Sequence, residues 1–425
     1  MKTAGIIAEY NPFHKGHEYQ INYIREKLGA DFVVAAMSGD FVQRGTPALL
    51  PKHVRAEMAL RCGVDLVLEL PVSVSTGSAE YFARGGVELM DGLGVIDQLC
   101  FGTETEDFQA LADLAGVLLE EPPAYQEALR KGLKEGLAYP AARSHALSEF
   151  IPNADEILSS PNNILGIEYV KALVSLDSTI EPVNIKRRGN AYHDTSLPAN
   201  TFSSASAIRQ KIFDDSHVSG TMPFHTGAGG VPPVSDNDDP ADQLACQLPA
   251  PAYRLLQQAL EEGTFLCEDQ ISVLLHYRLL GEDAESLCRY QDMSPDLARR
   301  IVQKRNQYCT FTQFCMLLKT KELTLARIRR ALLHVLLHIE KAPASIGYAR
   351  ILGFRRDAAT LLSAIKKEGT LPLITKSADV SLILEDSALD EFQQTAAASN
   401  IYQCLLTAKT GKPFLHEYQK PIVIV

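Results

Sequence analysis

The chain has 425 residues, 46% of them apolar, and carries a formal net charge of −11 from 41 Lys and Arg against 52 Asp and Glu. That is enough chain for two or three domains at roughly 100–200 residues each, and the acidic balance argues against a protein that coats polyanions nonspecifically. No apolar run approaches the roughly 20 residues that a membrane-spanning helix requires.

In chain order, Met1-Lys2-Thr3 leads straight into an apolar run, Ala4 to Ala8, that reads as a short buried strand, so no secretory leader is expected. Asn11-Pro12 breaks it into a turn, and Gly16 opens a helical pattern whose apolar face would include Tyr19, Ile21, Ile24 and Leu28. His14 and His17 flank this strand-to-helix turn with Lys15 between them. A helix start offers free N–H groups and the positive end of the dipole, which suits phosphate. Gly16 would allow a nucleotide close to the backbone, and imidazole and ammonium donors could offset charge on a phosphate in nucleotidyl transfer. A His-X-Gly-His tetrapeptide taken alone is equally compatible with an ordinary turn. No Cys or third His lies nearby to complete a metal site, so no metal ligand is assigned.

Further apolar runs, Asp31 to Met37, Val64 to Leu70 and Val95 to Phe101, alternate with helical patterns after Pro51 and from Ser78 to Leu93. Short connections between strands and helices predict an α/β fold, a Rossmann-like doubly wound parallel sheet. Ligands of such sheets sit at the carboxyl ends of the strands. That places the polar loops Asn11–His17, Ser38–Gly45, Pro71–Ala79 and Gly102–Glu104 around one crevice. In the second loop, Asp40 could hold a magnesium ion or orient an amine, or simply make an Asx-turn, and Arg44 would face the same space. Asp107 to Leu147 reads as an inserted helical stretch broken at Glu120-Glu121-Pro122-Pro123. Ile180 to Arg187 is a fifth strand, and His193-Asp194 in the following loop reads as structural rather than as a proton relay. Ser203 or Ser204 could cap a helix that carries Ser206-Ala207-Ile208-Arg209.

Asp214 to Asp242 is rich in Gly, Pro, Ser and Asp and reads as a linker. The predicted division is thus 1–213 for a nucleotide domain, 214–250 for a linker and 251–425 for a mainly helical region. Within the last, Arg299, Arg300, Arg327 and Arg330 belong to a run of cations from residue 299 to 341 opposed only by Glu322 and Glu340. A local basic face on an acidic chain suggests an anionic polymer as partner. Ile346 to Lys367 reads as a further short module, and Leu371–Leu384 and Pro421–Val425 have strand character. The eight cysteines form no Cys-X-X-Cys pair, which fits free thiols in a reducing cytoplasm.

The pairing of His14-Lys15-Gly16-His17 with Ser206-Ala207-Ile208-Arg209 resembles the two signature elements of the HIGH-motif nucleotidyltransferase superfamily. Ala205 stands where that superfamily often has a serine. Longer segments extend the match: Gly5 through His17, Met37 through Gly45, Phe101-Gly102-Thr103-Glu104, Ser160 through Tyr169 and Lys186-Arg187. With Arg327–Leu332 and Gly353-Phe354 they resemble the bacterial tRNA(Met) cytidine acetate ligase family. The resemblance implies ATP-dependent activation of acetate to acetyl-adenylate. It also implies transfer of the acetyl group to N4 of the wobble cytidine of elongator tRNA(Met).

By that resemblance the ATP site comprises Ile7-Ala8-Glu9-Tyr10-Asn11-Pro12-Phe13-His14-Lys15-Gly16-His17-Glu18-Tyr19-Gln20 with Gly102, Asn162, Arg187, Ser206 and Arg209. His14 and His17 take the catalytic role at the phosphates, Gly102 lies beside the nucleoside, and Arg187 contacts phosphate. Asn162 bonds nucleotide or acetyl group, or else serves as a helix cap. Mg²⁺ could accompany ATP. Two rival readings share the first half: an adenylyltransferase acting on a phosphorylated cofactor precursor, and a non-catalytic RNA-binding protein.

Overall fold

The computed structural model describes residues 1–187, 202–218, 240–340 and 345–425. His193-Asp194 and most of the Asp214–Asp242 stretch lie outside the described residues. The strands are β1 (Thr3–Ala8), β2 (Phe32–Ser38), β3 (Phe41–Val42), β4 (Thr46–Pro47), β5 (Leu66–Leu70), β6 (Gln98–Thr103), β7 (Glu181–Lys186), β8 (Ala349–Phe354), β9 (Leu373–Ile374) and β10 (Val423–Ile424). The main sheet runs β10-β8-β5-β2-β1-β6-β7, with β9 paired to β8. Its first-half strands are all parallel, as near-continuous apolar runs require when both faces are covered.

The chain winds from β1 outward through β2 to β5 and then crosses back to β6 on the other side of β1. The switch in winding direction therefore falls between β1 and β6, and a crevice opens at their carboxyl ends. Glu9 to His17 follow β1, Gly102 lies at the end of β6 and Arg187 follows β7. All three segments of the expected ATP site converge there because of strand order.

The predicted domain division does not match the packing. Residue 240 begins a helix, Pro240–Gln247, inside the segment read as linker. Leu244 and Leu248 share a core with Ala252, Leu256 and Ala259 of the next helix and with Ile6, Val33 and Ile208. That next helix, Ala250–Glu261, packs on Lys52–Arg61, so it covers the nucleotide half rather than opening a separate unit. At the other end, β8 adds antiparallel to β5, with Glu69 opposite Arg350, and β10 adds parallel to β8. The stretch read as an independent module after Ile346 thus extends the first-half sheet. Of the predicted strand Leu371–Leu384 only Leu373–Ile374 is a strand; a 3₁₀ turn, Ser377–Leu382, follows.

The helical core between these pieces gathers Leu275, Leu297, Phe311, Phe314, Ile328 and Leu332. It meets the nucleotide half at the β3–β4 hairpin. Gly45, at φ +74°, lies in this hairpin against the Arg329–Arg330 backbone of the helix Leu325–Leu337. Both the left-handed backbone and the close approach call for glycine. Gly45→Ala is expected to cost about 1–3 kcal/mol from overpacking alone, read as a drop in the urea midpoint. An unchanged midpoint would mean that the hairpin and helix separate freely.

Candidate active site

His14 is the N-cap of the first helix, Lys15–Glu26, with extended backbone at φ −142° and ψ 172°. Its Nδ1 accepts from the Gly16 amide at 3.0 Å, and the His14 amide donates to His17 Nδ1 at 3.2 Å. Two imidazoles thereby form a reciprocal capping box, a task usually given to Ser or Thr with Glu. Because each Nδ1 accepts, each ring carries its proton on Nε2. The rings stack with centroids 3.7 Å apart, and Tyr10 and Phe13, both buried, pack on His17 at 4.9 and 5.4 Å.

Burial, with Arg187 and Arg209 nearby, pushes the His14 imidazole down to about 3. Burial, His14 and Arg187 hold His17 well below its ordinary value. Both rings are therefore neutral N–H donors near neutral pH, and the positive charge of the crevice comes from Arg187, Arg209, Lys186 and Arg44. Gly16 makes room for a neighbour of a different kind than expected: a Cβ there would stand 2.9 Å from His14 Cε1. The space is filled by the capping imidazole.

The second signature segment is tied to the first. Ser204 is the hydroxyl that caps the helix from Ala205, accepting from the Ala207 amide at 3.2 Å. One turn on, Arg209 donates through Nη1 to the Asn11 carbonyl at 2.6 Å and through Nη2 to Ser206 Oγ at 3.2 Å. Asn11 Oδ1 in turn accepts from the Leu49 amide at 2.8 Å. Beneath, the fully buried Arg55 donates to the carbonyls of Glu9, Ser38, Gly39 and Leu50, knitting the carboxyl ends of β1 and β2 together.

Across the crevice, Asn162 is the second residue of the helix Pro161–Ser175 and does not cap it. Its amide donates to Glu104 Oε1 at 2.6 Å. The loop-pinning role falls to Asn163, whose Oδ1 accepts from the Glu104 and Thr105 amides. At Gly102 an added Cβ would meet the Arg187 Cγ at 3.2 Å, so its missing side chain admits the Arg187 stem.

The crevice is lined by Ile7, Ala8, Glu9, Tyr10, Asn11, His14, Gly16, His17, Tyr19, Gln20, Gly102, Asn162, Arg187, Ser206 and Arg209 among the expected residues. Pro12, Phe13, Lys15 and Glu18 do not line it. The sequence reading gave no site role to Phe82, Phe101, Leu165 and Tyr169, which form an apolar wall, or to Phe202; Gln43 comes from the loop Ser38–Gly45 that it set around the crevice. Phe82, Leu165 and Tyr169 lie on helices and Phe101 within β6, so no loop pattern marked them. Asp40 does not reach the crevice. It is buried, and Oδ1 accepts from the Lys52 amide at 2.8 Å. Among the described residues no group of three or more His, Cys, Asp or Glu is assembled as a metal would need.

The four arginines expected on the basic face differ in availability. Arg299 is exposed and, among the described residues, pairs only with exposed Asp296. Arg300 bonds the Leu317 carbonyl at 3.2 Å and Arg327 the Asp292 carbonyl at 3.2 Å. Arg330, 13% exposed, is locked to Asp292 at 2.7 Å and belongs to the helical core rather than to an open face.

Comparison with known proteins agrees with this geometry. The family described as HIGH Nucleotidyl Transferase matches residues 1–415. A protein of Caldanaerobacter subterraneus subsp. tengcongensis named tRNA(Met) cytidine acetate ligase is 37% identical over 410 residues, 95% of each chain. One of Acetivibrio thermocellus with the same name is 37% identical over 437 residues, the whole of both chains. Among solved structures, Thermotoga maritima TmcAL superposes over the full length of both chains. Its form bound with alpha-thio ATP gives TM-score 0.85 at 29% identity, and its apo form 0.89 at 30%. With two imidazoles capping its first helix, Arg209 of a Ser-X-Ile-Arg helix bonded to the Asn11 carbonyl of the same loop, and a sheet of this winding, the chain belongs to the HIGH nucleotidyltransferase family and, within it, to the tRNA(Met) cytidine acetate ligase family.

Proposed function

We propose that the chain uses ATP to convert acetate to acetyl-adenylate and passes the acetyl group to N4 of the wobble cytidine of elongator tRNA(Met). The observation that carries this reading is the crevice itself, in which both signature segments are bonded to each other around one open space. The alpha-thio ATP bound by the Thermotoga maritima relative supports ATP as the nucleotide.

The residues suit the chemistry. Acetate is a carboxylate with a pKa of about 4, ionised at neutral pH, and attacks without a general base. As its oxygen bonds to the α-phosphorus, the bond to pyrophosphate breaks and negative charge gathers on phosphate oxygens. The two Nε2–H groups are neutral donors whose rings are already oriented, and Arg187 and Arg209 supply charge. Such preorganised donors act without reorganising during reaction. The apolar wall of Phe82, Phe101 and Tyr169 offers a surface for a base. On the helical region, exposed Arg299 with Lys319 and Lys321 offers phosphate contacts. A simple adenylyltransferase would leave that region, packed directly on the β3–β4 hairpin, without a task.

The test is nucleoside mass analysis of tRNA incubated with the protein, ATP and acetate. N4-acetylcytidine is expected; acetate-independent pyrophosphate exchange, or none with any acid, would overturn the reading. Arg299→Glu is expected to weaken tRNA binding and to lower the salt slope by about one. It should spare acetate-dependent exchange, because its exposed pair with Asp296 contributes little.

A further inference from the structure

The crevice holds one group that its nucleotide chemistry does not call for. ATP and acetate are both anions, yet Glu9 places a carboxylate among the residues that line the space. Bringing a negative charge to a site for two anions opposes their binding, so a carboxylate there needs a partner that donates a proton or carries positive charge. Arg209 and Arg55 both feel its field, but no ion pair closes on Glu9 within 4.0 Å among the described residues. Glu104, the carboxylate beside Arg187, bonds Asn162 through Oε1 and leaves Oε2 buried without a partner, but it does not line the crevice.

Glu9 is also held in place. Its backbone carbonyl accepts from Arg55 Nη1 at 2.5 Å, and Oε1 accepts from the Gln43 amide at 3.1 Å. Oε2 has no hydrogen-bond partner among the described residues. Gln43 lies in the β3–β4 hairpin, the same hairpin that seats Gly45 on the helix Leu325–Leu337. The free carboxylate oxygen thus sits beside an element that touches both the nucleotide half and the helical region.

We propose that Glu9 accepts the proton of the attacking cytidine amine in the acetyl-transfer step. This rests on the function proposed above. The N4 lone pair forms the C–N bond to the acetyl carbonyl carbon. The C–O bond of the mixed anhydride breaks, its electron pair leaving with the phosphate oxygen of AMP. One N4 proton passes to Glu9 Oε2 and from there to water. Before reaction the same oxygen accepts a hydrogen bond from N4–H and orients the amine, a weak nucleophile that gains from positioning.

The test separates the two half-reactions in Glu9→Gln. The substitution keeps an oxygen for the Gln43 amide and so preserves the local fold. Acetate-dependent pyrophosphate exchange reads activation; single-turnover acetylation of tRNA, followed across pH, reads transfer. General-base loss typically costs about 10²–10⁴ in rate, so transfer is expected to fall by at least about 10²-fold. Exchange, read in the same variant, measures any loss of nucleotide handling; transfer should fall well beyond it, and the acid-side limb of the transfer profile should vanish. Glu9→Asp should restore part of the transfer rate and the limb. Equal loss of exchange and transfer would assign Glu9 to the nucleotide and overturn the proposal. So would a transfer rate or pH profile in Glu9→Gln matching the unsubstituted protein. If the unsubstituted protein exchanges pyrophosphate but never acetylates tRNA, the proposed function fails instead, a result visible before any variant is made.

Discussion

Lys52→Met should lower the unfolding free energy by about 3–5 kcal/mol, as expected when one partner of a buried charge network is removed. Lys52 is fully buried, and its three ammonium protons have three acceptors: Glu69 at 2.6 Å, Glu417 at 2.6 Å and Ser399 Oγ at 2.7 Å. Arg350 closes the network with 2.6 Å contacts to the same two carboxylates. Two cations thus balance two anions in the interior, and removing Lys52 leaves an uncompensated negative charge there. A domain with roughly 5–15 kcal/mol of total stability would be badly depleted. The double variant Lys52→Met/Glu417→Gln restores balance around Arg350 and Glu69, so it should be more stable than the sum of the single losses predicts. Urea unfolding of the four proteins gives the coupling directly; single losses near zero would show that water reaches the cluster.

The same network sets a pH dependence. Burial alone would raise the Glu417 carboxyl, but Lys52 and Arg350 outweigh it and hold it well below the usual carboxylate range. A depressed folded value means that the stabilisation is complete above the unfolded value of about 4.3 and is lost as pH falls below it. Acid unfolding of Glu417→Gln should therefore be shallower than that of the unsubstituted protein.

None of this network was legible in the sequence, and the reason is physical. Lys52, Glu69, Arg350 and Glu417 come from a helix, a central strand, a distant added strand and a 3₁₀ turn. Each sits in a locally unremarkable context, and only the antiparallel addition of β8 to β5 puts Arg350 opposite Glu69. Hydrophobic period finds strands; it carries no information on which strand pairs with which across some 280 residues. The reading of Arg330 as a surface cation failed for the same reason, since helical spacing does not reveal that Asp292 waits for it. The first-half strands, by contrast, follow from continuous apolar runs, and their alternation with helices fixed the crevice position. His14, Gly16 and His17 were legible because strand, turn and helix start are neighbours in sequence. What sequence could not show was that the imidazoles cap the helix and stay neutral, a consequence of burial and of arginines contributed by later segments.

That double duty shapes the expected behaviour of the imidazoles. His14→Ala removes both the cap and an Nε2–H donor. Loss of the cap costs about 1 kcal/mol of stability, and loss of one preorganised donor costs about 10²–10³ in rate. His14→Asn separates the two, since Asn is a good N-cap that accepts from the Gly16 amide but cannot place a proton where Nε2–H stands. The expected result is near-normal unfolding and a rate of acetyl-adenylate formation as low as that of His14→Ala. His17→Ala should be equally slow. Because His14 is pushed down to about 3, no inflection in kcat/KM near the ordinary imidazole value of about 6.5 belongs to it. Recovery of activity in His14→Asn would reduce the imidazole to a helix cap and move the burden of phosphate stabilisation to Arg187 and Arg209.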